Sequence, residues 1–266
     1  MLRQYLITVL ALAVAPNALA HEFWIEPSTY RPTTERVTRI SLRVGEKMKG
    51  EAVPRNTRRI VRFDSILGDV KKPVPGEDGV EPAGFMRFDK PGLHTVLYVS
   101  SSLDIEIEPA KFESYLKEEG LEAISAERAK RGESDKLGRE AYARSCKSLL
   151  LVGGEGRDAK DRAHGLPLEL VAEQNPYAMK PGDKLTVTLL LDGKPPEGAL
   201  VVGMHRDALD KQPSARTDSA GKATLQLDHA GEWLVKAVYM KRAKDGGNVE
   251  WESTWAALTF ELPKSR

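Results

Sequence analysis

From residue 21 onward the apolar residues of this chain arrive in short runs, several of them set off by proline, glycine or aspartate. That punctuation points to β-structure. The clearest case is the turn signal Pro91-Gly92, which launches Leu93-His94-Thr95-Val96-Leu97-Tyr98-Val99. Residues 36–44 place Ile40, Leu42 and Val44 on one face, a half-buried strand pattern. Residues 59–67 carry Ile60, Val61, Phe63 and Ile66, and a loop rich in proline and glycine separates them from Phe85-Met86-Arg87-Phe88. The pattern returns after Leu166. Pro181-Gly182-Asp183 precedes residues 185–191, Asp192-Gly193 turns the chain, and residues 199–205, 222–227, 232–240 and 254–262 read as further strands. Between the two β regions, residues 111–148 are dense in charge. There Phe112, Tyr115 and Leu116 stand at helical spacing, and Leu137, Ala141 and Tyr142 repeat it, with Gly120 and Gly132 as breaks. Two or three short amphipathic helices are expected in that stretch. The predicted fold class is mainly β: two β-sandwich domains, residues 21–108 and 166–266, with a short charged helical segment, 109–165, between them.

Residues 1–20, MLRQYLITVLALAVAPNALA, have the layout of a secretory signal peptide. Arg3 supplies the positive start, Leu6 to Ala15 is a short apolar run, and Ala18-Leu19-Ala20 is a small-residue cleavage site. Export with cleavage after Ala20 is expected, and no later run reaches the roughly 18 apolar residues of a transmembrane helix. Forty Lys and Arg face 39 Asp and Glu, and loss of Arg3 would leave the chain neutral. A nucleic-acid binder working through bulk charge is thereby excluded. The lone Cys146 excludes an intrachain disulfide framework and a cysteine metal cluster, and reads as a partly buried structural thiol.

Cleavage after Ala20 makes His21 the first residue, with chemical consequences. A free α-amino group and the imidazole of one residue can close a chelate ring on one ion. Both nitrogens have reference pKa values of about 8 or below, so protons compete weakly at neutral pH. Two nitrogen donors suit nickel, cobalt, copper or zinc rather than calcium or magnesium. Further ligands are needed. Five histidines are present, His21, His94, His164, His205 and His229, with none at i,i+2 or i,i+4 spacing. No HExxH, no GxSxG and no complete phosphate loop occurs; Gly153-Gly154-Glu155-Gly156 is a connection. His94 follows a turn at a strand end and leads the candidates for a second ligand, and His205 ends its strand in the same manner. Glu22, adjacent to His21, is the candidate carboxylate, either as a ligand or as the acceptor that fixes the imidazole. If His21 and His94 bind one ion, their rings should lie within about 4–5 Å of each other.

Several segments together resemble a known family. The start His21-Glu22-Phe23-Trp24-Ile25-Glu26-Pro27 resembles the opening of exported bacterial proteins grouped as a domain of unknown function. Members of that family are commonly described as periplasmic components of cobalt or nickel uptake systems. Gly165-Leu166-Pro167-Leu168-Glu169-Leu170 and Asn175-Pro176-Tyr177 look like its middle motif. Asp192-Gly193-Lys194-Pro195, Gly198-Ala199, Thr217-Asp218, Gly221 and Gly231-Glu232-Trp233-Leu234-Val235 look like its C-terminal part. That part is also similar to transthyretin-like and carboxypeptidase-regulatory sandwiches. The resemblance implies Ig- or transthyretin-like sandwiches and a non-enzymatic periplasmic protein that binds nickel or cobalt through His21 and serves a membrane metal transporter. Two alternatives stand beside it: a copper-dependent oxidative enzyme with an N-terminal histidine brace, and a non-catalytic glycan- or protein-binding module.

Overall fold

The computed structural model describes residues 21–244 and 247–264; the expected signal peptide, residues 1–20, lies outside the described residues. The first β region contains β1 (Glu22–Pro27), β2 (Val37–Glu46), β3 (Lys49–Val53), β4 (Ile60–Leu67), β5 (Val70–Pro73), β6 (Gly84–Arg87), β7 (Gly92–Ser100) and β8 (Leu103–Ile107). Helices α1 (Pro109–Glu118) and α2 (Glu122–Lys130) follow. Then come β9 (Gly138–Val152), β10 (Leu168–Ala172), β11 (Asp183–Leu191), β12 (Leu200–His205), β13 (Ser214–Arg216), β14 (Lys222–Leu227), β15 (Gly231–Arg242) and β16 (Trp251–Leu262).

These strands form three sheets. One outer sheet runs β1-β2-β3, with β6 also paired to β2, and the other runs β10-β11-β14. The third has nine strands, in the order β13-β12-β15-β16-β9-β7-β4-β5, with β8 along the start of β9. Its β9–β16 pair is parallel, from Trp251 opposite Glu140 to Thr259 opposite Ser148.

The nine-stranded sheet is the middle layer. Because side chains alternate along a strand, neighbouring residues leave for opposite faces. Cys146, Leu150, Leu234 and Ala257 pack with Trp24, Ile25, Ile40 and Leu42 of the first outer sheet. Leu149, Leu151, Trp233, Val235 and Leu258 pack with Leu168, Leu185, Val187 and Leu225 of the second. The fold is therefore mainly β and sandwich-like, as the strand pattern predicts, with both sandwiches built on one shared sheet. Burial on both faces explains the unbroken run Leu149-Leu150-Leu151-Val152. Each such side chain contributes on the order of 1.5–3 kcal/mol by leaving water.

The helices cover the rest of the face that carries the first outer sheet. Phe112, Tyr115, Leu116 and Ile124 pack on Val238, Met240, Trp251 and Trp255. Pro109 opens α1, where a missing N–H costs nothing. The sequence pattern over 109–165 predicts a helical segment; the structure confines the helices to residues 109–130 and makes Gly138–Val152 a strand of 15 residues. Gly138 is where helix and strand meet. A Cβ there would lie 2.3 Å from the Phe112 ring, so glycine allows α1 to seat directly on β9.

Candidate metal centre at the start of the first strand

The register of β1 on β2, Glu22 opposite Gly45 through Pro27 opposite Ile40, sets His21 beside Glu46. Its Nε2 lies 3.2 Å from Oε1 of Glu46. Glu46 closes β2 just before a tight reversal into β3. Lys47 and Met48 take that reversal with φ of 51° and 57°, the left-handed pair that a two-residue hairpin turn requires. The Lys47 N–H donates to Oε2 of Glu22 at 2.9 Å, which ties β1 to the turn. The His21 ring and the Glu46 carboxylate both keep solvent access, with side-chain exposures of 27% and 73%.

Glu22 does not join them. It is buried, and its Oε1 stands 3.3 Å from Nζ of Lys236, which also pairs with Glu119 Oε1 at 2.6 Å. One ammonium thus serves two carboxylates under the first outer sheet. Burial opposes the charge on Lys236, yet Glu119 and Glu22 outweigh it and raise its pKa. Burial pushes the Glu119 carboxyl up. The expected role of Glu22 as ligand or imidazole acceptor is corrected: alternation turns it into the protein, and Glu46 occupies the position beside the ring.

The other expected ligands are dispersed. His94 is buried on β7, its Nε2 2.9 Å from Lys90 O and its ring edge-on to Phe88. Burial holds its pKa below the ordinary imidazole value. It borders a cavity of about 270 Å³ that Lys72 and Asp89 also line. Phe23 sits over the β7–β9 pair, its ring 5.2 Å from Tyr98 and its carbonyl accepting from Cys146 Sγ at 3.3 Å. His94 lies four residues before Tyr98, so it is ~13 Å or more from that point. His205 is on the opposite face of the middle sheet, against Trp233. Its Nε2 donates to Ala230 O at 2.9 Å and its Nδ1 accepts the Asp207 N–H at 3.2 Å, which uses both ring nitrogens. Its neighbour Arg206 pairs with Glu26 at the far end of β1, ~17 Å along the strand from His21. The expected approach of His94 or His205 to His21 is therefore corrected as well. Strand ends that look alike in sequence fall at different ends and on different faces of the middle sheet.

His229 stacks near His205, ring centres 5.2 Å apart, and His164 lies in the connection after β9. Among the described residues no group of three or more His, Cys, Asp and Glu side chains converges as a metal site. Cys146 is buried, and burial pushes its thiol up to about 12, the inert structural role its sequence context suggests. Met204 and Met240 are core residues.

The sequence reading missed Glu46. A signal was available, since Gly45 and Gly50 bracket a tight reversal, and a strand paired to the second half of β2, as β1 is, must begin or end beside it. A Cβ on either glycine would come within 2.1 Å of facing backbone.

The family model for a domain of unknown function, DUF4198, matches residues 18–241. The chain belongs to this family. DUF4198 carries no assigned activity in its description. No curated protein matches the chain. Among solved structures, the D0-D1 domain of intimin is similar at 14% identity, with 90% of this chain and 97% of that one covered and a TM-score of 0.21. Alpha-2-macroglobulin of E. coli is 9% identical, covering 92% of this chain and 17% of that one, with a TM-score of 0.22. A Salmonella alpha-2-macroglobulin mutant is 10% identical, covering 93% and 16%, with a TM-score of 0.23. These likenesses are distant and transfer no function.

Proposed function

We propose that this DUF4198 protein is exported to the periplasm, cleaved after Ala20, and binds a divalent transition-metal ion, nickel or cobalt, at His21 for delivery to a membrane transporter. The observation that carries this reading is the approach of Glu46 Oε1 to His21 Nε2 at 3.2 Å. A proton on Nε2 facing that carboxylate leaves the Nδ1 lone pair free. Nδ1 is the nitrogen that closes a six-membered ring with the α-amine of the same residue. Glu46 thus selects the tautomer that an N-terminal histidine needs for chelation, and β1 pairing holds the residue in place. Amine and imidazole alone would leave further positions on the ion to water or to a receiving protein, which suits a cargo passed on rather than a sealed structural metal.

The copper-brace alternative needs a second imidazole opposite the first, and among the described residues none is near His21. The non-catalytic binding module remains compatible with the sandwich architecture.

The first prediction tests amine ligation. Protein beginning at His21 is titrated calorimetrically with nickel and cobalt, beside protein carrying one added glycine before His21. The added residue converts the amine to an amide and should weaken binding by at least about tenfold, roughly 1.4 kcal/mol. Glu46→Gln should weaken it by about tenfold while the amine stays free. Equal affinity with and without the added glycine would sink amine ligation.

A further inference from the structure

Beside the start of β1, the first outer sheet and the middle sheet leave a cleft of about 860 Å³, walled by Phe23, Tyr98 and Tyr142. Four arginines reach it: Arg55, Arg58 and Arg59 from the β3–β4 connection, and Arg144 from β9. Asp78 is the one carboxylate in its lining, and its Oδ1 already accepts the Thr57 N–H at 2.6 Å.

Arg144 is the unusual member. It is 8% exposed, and its Nη1 is buried with no partner. Its guanidinium carbon lies 4.6 Å from the Trp255 ring centre, 5.0 Å from that of Tyr142 and 5.9 Å from that of Phe23. Among the described residues three other lysine or arginine side chains are as deeply buried, and each has a carboxylate. Arg128 meets Glu113 at 2.8 Å, Lys147 meets Asp161 at 2.8 Å, and Lys236 meets Glu119 at 2.6 Å. Among the described residues no carboxylate lies within the 4.0 Å of an ion pair from Arg144, Arg55, Arg58 or Arg59. Arg59 spends its donors on the carbonyls of Ser101 and Ser102, and Arg55 on those of Val74 and Ala83, with the Arg55 Nε left unpaired.

Glu140, also buried, attracts Arg144 from beyond ion-pair distance, and a buried charge without a direct ion-pair partner is costly. Aromatic faces recover part of that cost through the π-cloud, but they leave the in-plane N–H donors unmet. Burial accordingly lowers the Arg144 pKa. An acceptor in the guanidinium plane would satisfy those donors, and a carboxylate does so with two parallel bonds. Besides Asn56, Asp78 and Ser100, the rest of the wall is mostly aromatic and aliphatic, and the volume is in the range of a small-molecule site, roughly 300–1,000 Å³.

We propose that this cleft binds a small organic carboxylate with an apolar body, its carboxylate seated on Arg144 and its body between Phe23, Tyr98 and Tyr142. The rim arginines draw the anion in, and the aromatic walls select against bare inorganic anions. The site is independent of His21 and its metal.

The test is calorimetric titration of protein beginning at His21 with benzoate, 4-phenylbutyrate and octanoate, each beside its uncharged amide, and with inorganic phosphate. At least one carboxylate should bind, and its amide and phosphate should each be at least about tenfold weaker. Arg144→Met should weaken the carboxylate at least about tenfold, whereas Arg157→Met, on an exposed loop, should leave it unchanged. Circular dichroism and thermal melting establish that the variants fold. Should Arg144→Met not fold, Arg144→Lys serves instead: an ammonium keeps the charge and loses the fork, and binding should fall at least about threefold. Absence of binding by all three carboxylates, an amide or phosphate as tight as the acid, or full affinity in a folded Arg144 variant would overturn the proposal.

Discussion

At the scale of single residues, His164 is an imidazole kept neutral by its surroundings. Its Nε2 is buried without a partner, and its backbone N–H donates to Glu169 at 2.8 Å. Burial first, and then the nearby Lys147 charge, lower its pKa below 6.5, against smaller opposing pulls from Glu169 and Asp161. The unfolded chain therefore binds this proton more readily than the folded one. The contribution to stability is present above about pH 6.5 and is lost as pH falls from there through the lower folded value. Urea unfolding at about pH 7.5 and pH 5 should show a drop at the acid end, and His164→Gln should make that drop smaller. An identical drop in the variant would place the titration elsewhere. Of the residues of the candidate centre, His21 was legible because a cleavage motif marks it. Glu46 was not, since it depends on strand register; nor was Arg144 of the separate cleft, which depends on the first outer sheet meeting the middle sheet.

At the scale of an element, β9 carries the chain from one sandwich to the other, and the connection after it is fastened back by charge. Lys147, 1% exposed, reaches Asp161 at 2.8 Å and Glu169 at 3.4 Å. Those carboxylates in turn accept backbone N–H groups of Ala172, Arg162, His164 and Leu166. Lys147→Met leaves two buried carboxylates without their cation and should cost about 3–5 kcal/mol. A lower urea midpoint at unchanged m-value is the expected reading, and a change under about 1 kcal/mol would contradict the network's role. The same residues explain why this strand was misread. β7 announces itself through Pro91-Gly92 and its apolar run. β9 hides Glu140, Arg144 and Lys147 among apolar neighbours because each is buried in a pair, a hydrogen bond or the cleft, so its polarity does not alternate. A period of two is invisible where both faces are interior, and the chance spacing of Leu137, Ala141 and Tyr142 then reads as helix.

At the scale of the molecule, the two β regions visible in the sequence are not independent bodies in their packing. The C-terminal core takes in Tyr30 and Leu93 from the first β region and Leu149 and Leu151 from β9, and the N-terminal core takes in Met204, Leu234 and Ala257 from the second β region. One cooperative unfolding transition is expected, with calorimetric and van't Hoff enthalpies agreeing. A fragment of residues 166–264 lacks β9 and β7 and should show no sigmoidal melt, whereas a folded fragment would mean that the second sandwich closes its own core. Sequence punctuation marks most of the longer strands of both β regions, β9 excepted, but carries no information on which sheet a strand joins, since pairing partners lie up to 111 residues apart.

The parallel seat of β16 between β15 and β9 has a consequence for synthesis. β9 is translated more than a hundred residues before the neighbour that covers its second edge. Until Trp251–Leu262 has been made, a nascent chain holds an unpaired edge in the middle of its largest sheet, the kind of edge that recruits other chains. Completion of the last strand is thus the step that turns an adhesive intermediate into a closed particle. A stop codon ahead of Trp251 would yield neither a smaller working protein nor a spare half, but a substrate for chaperones and proteases.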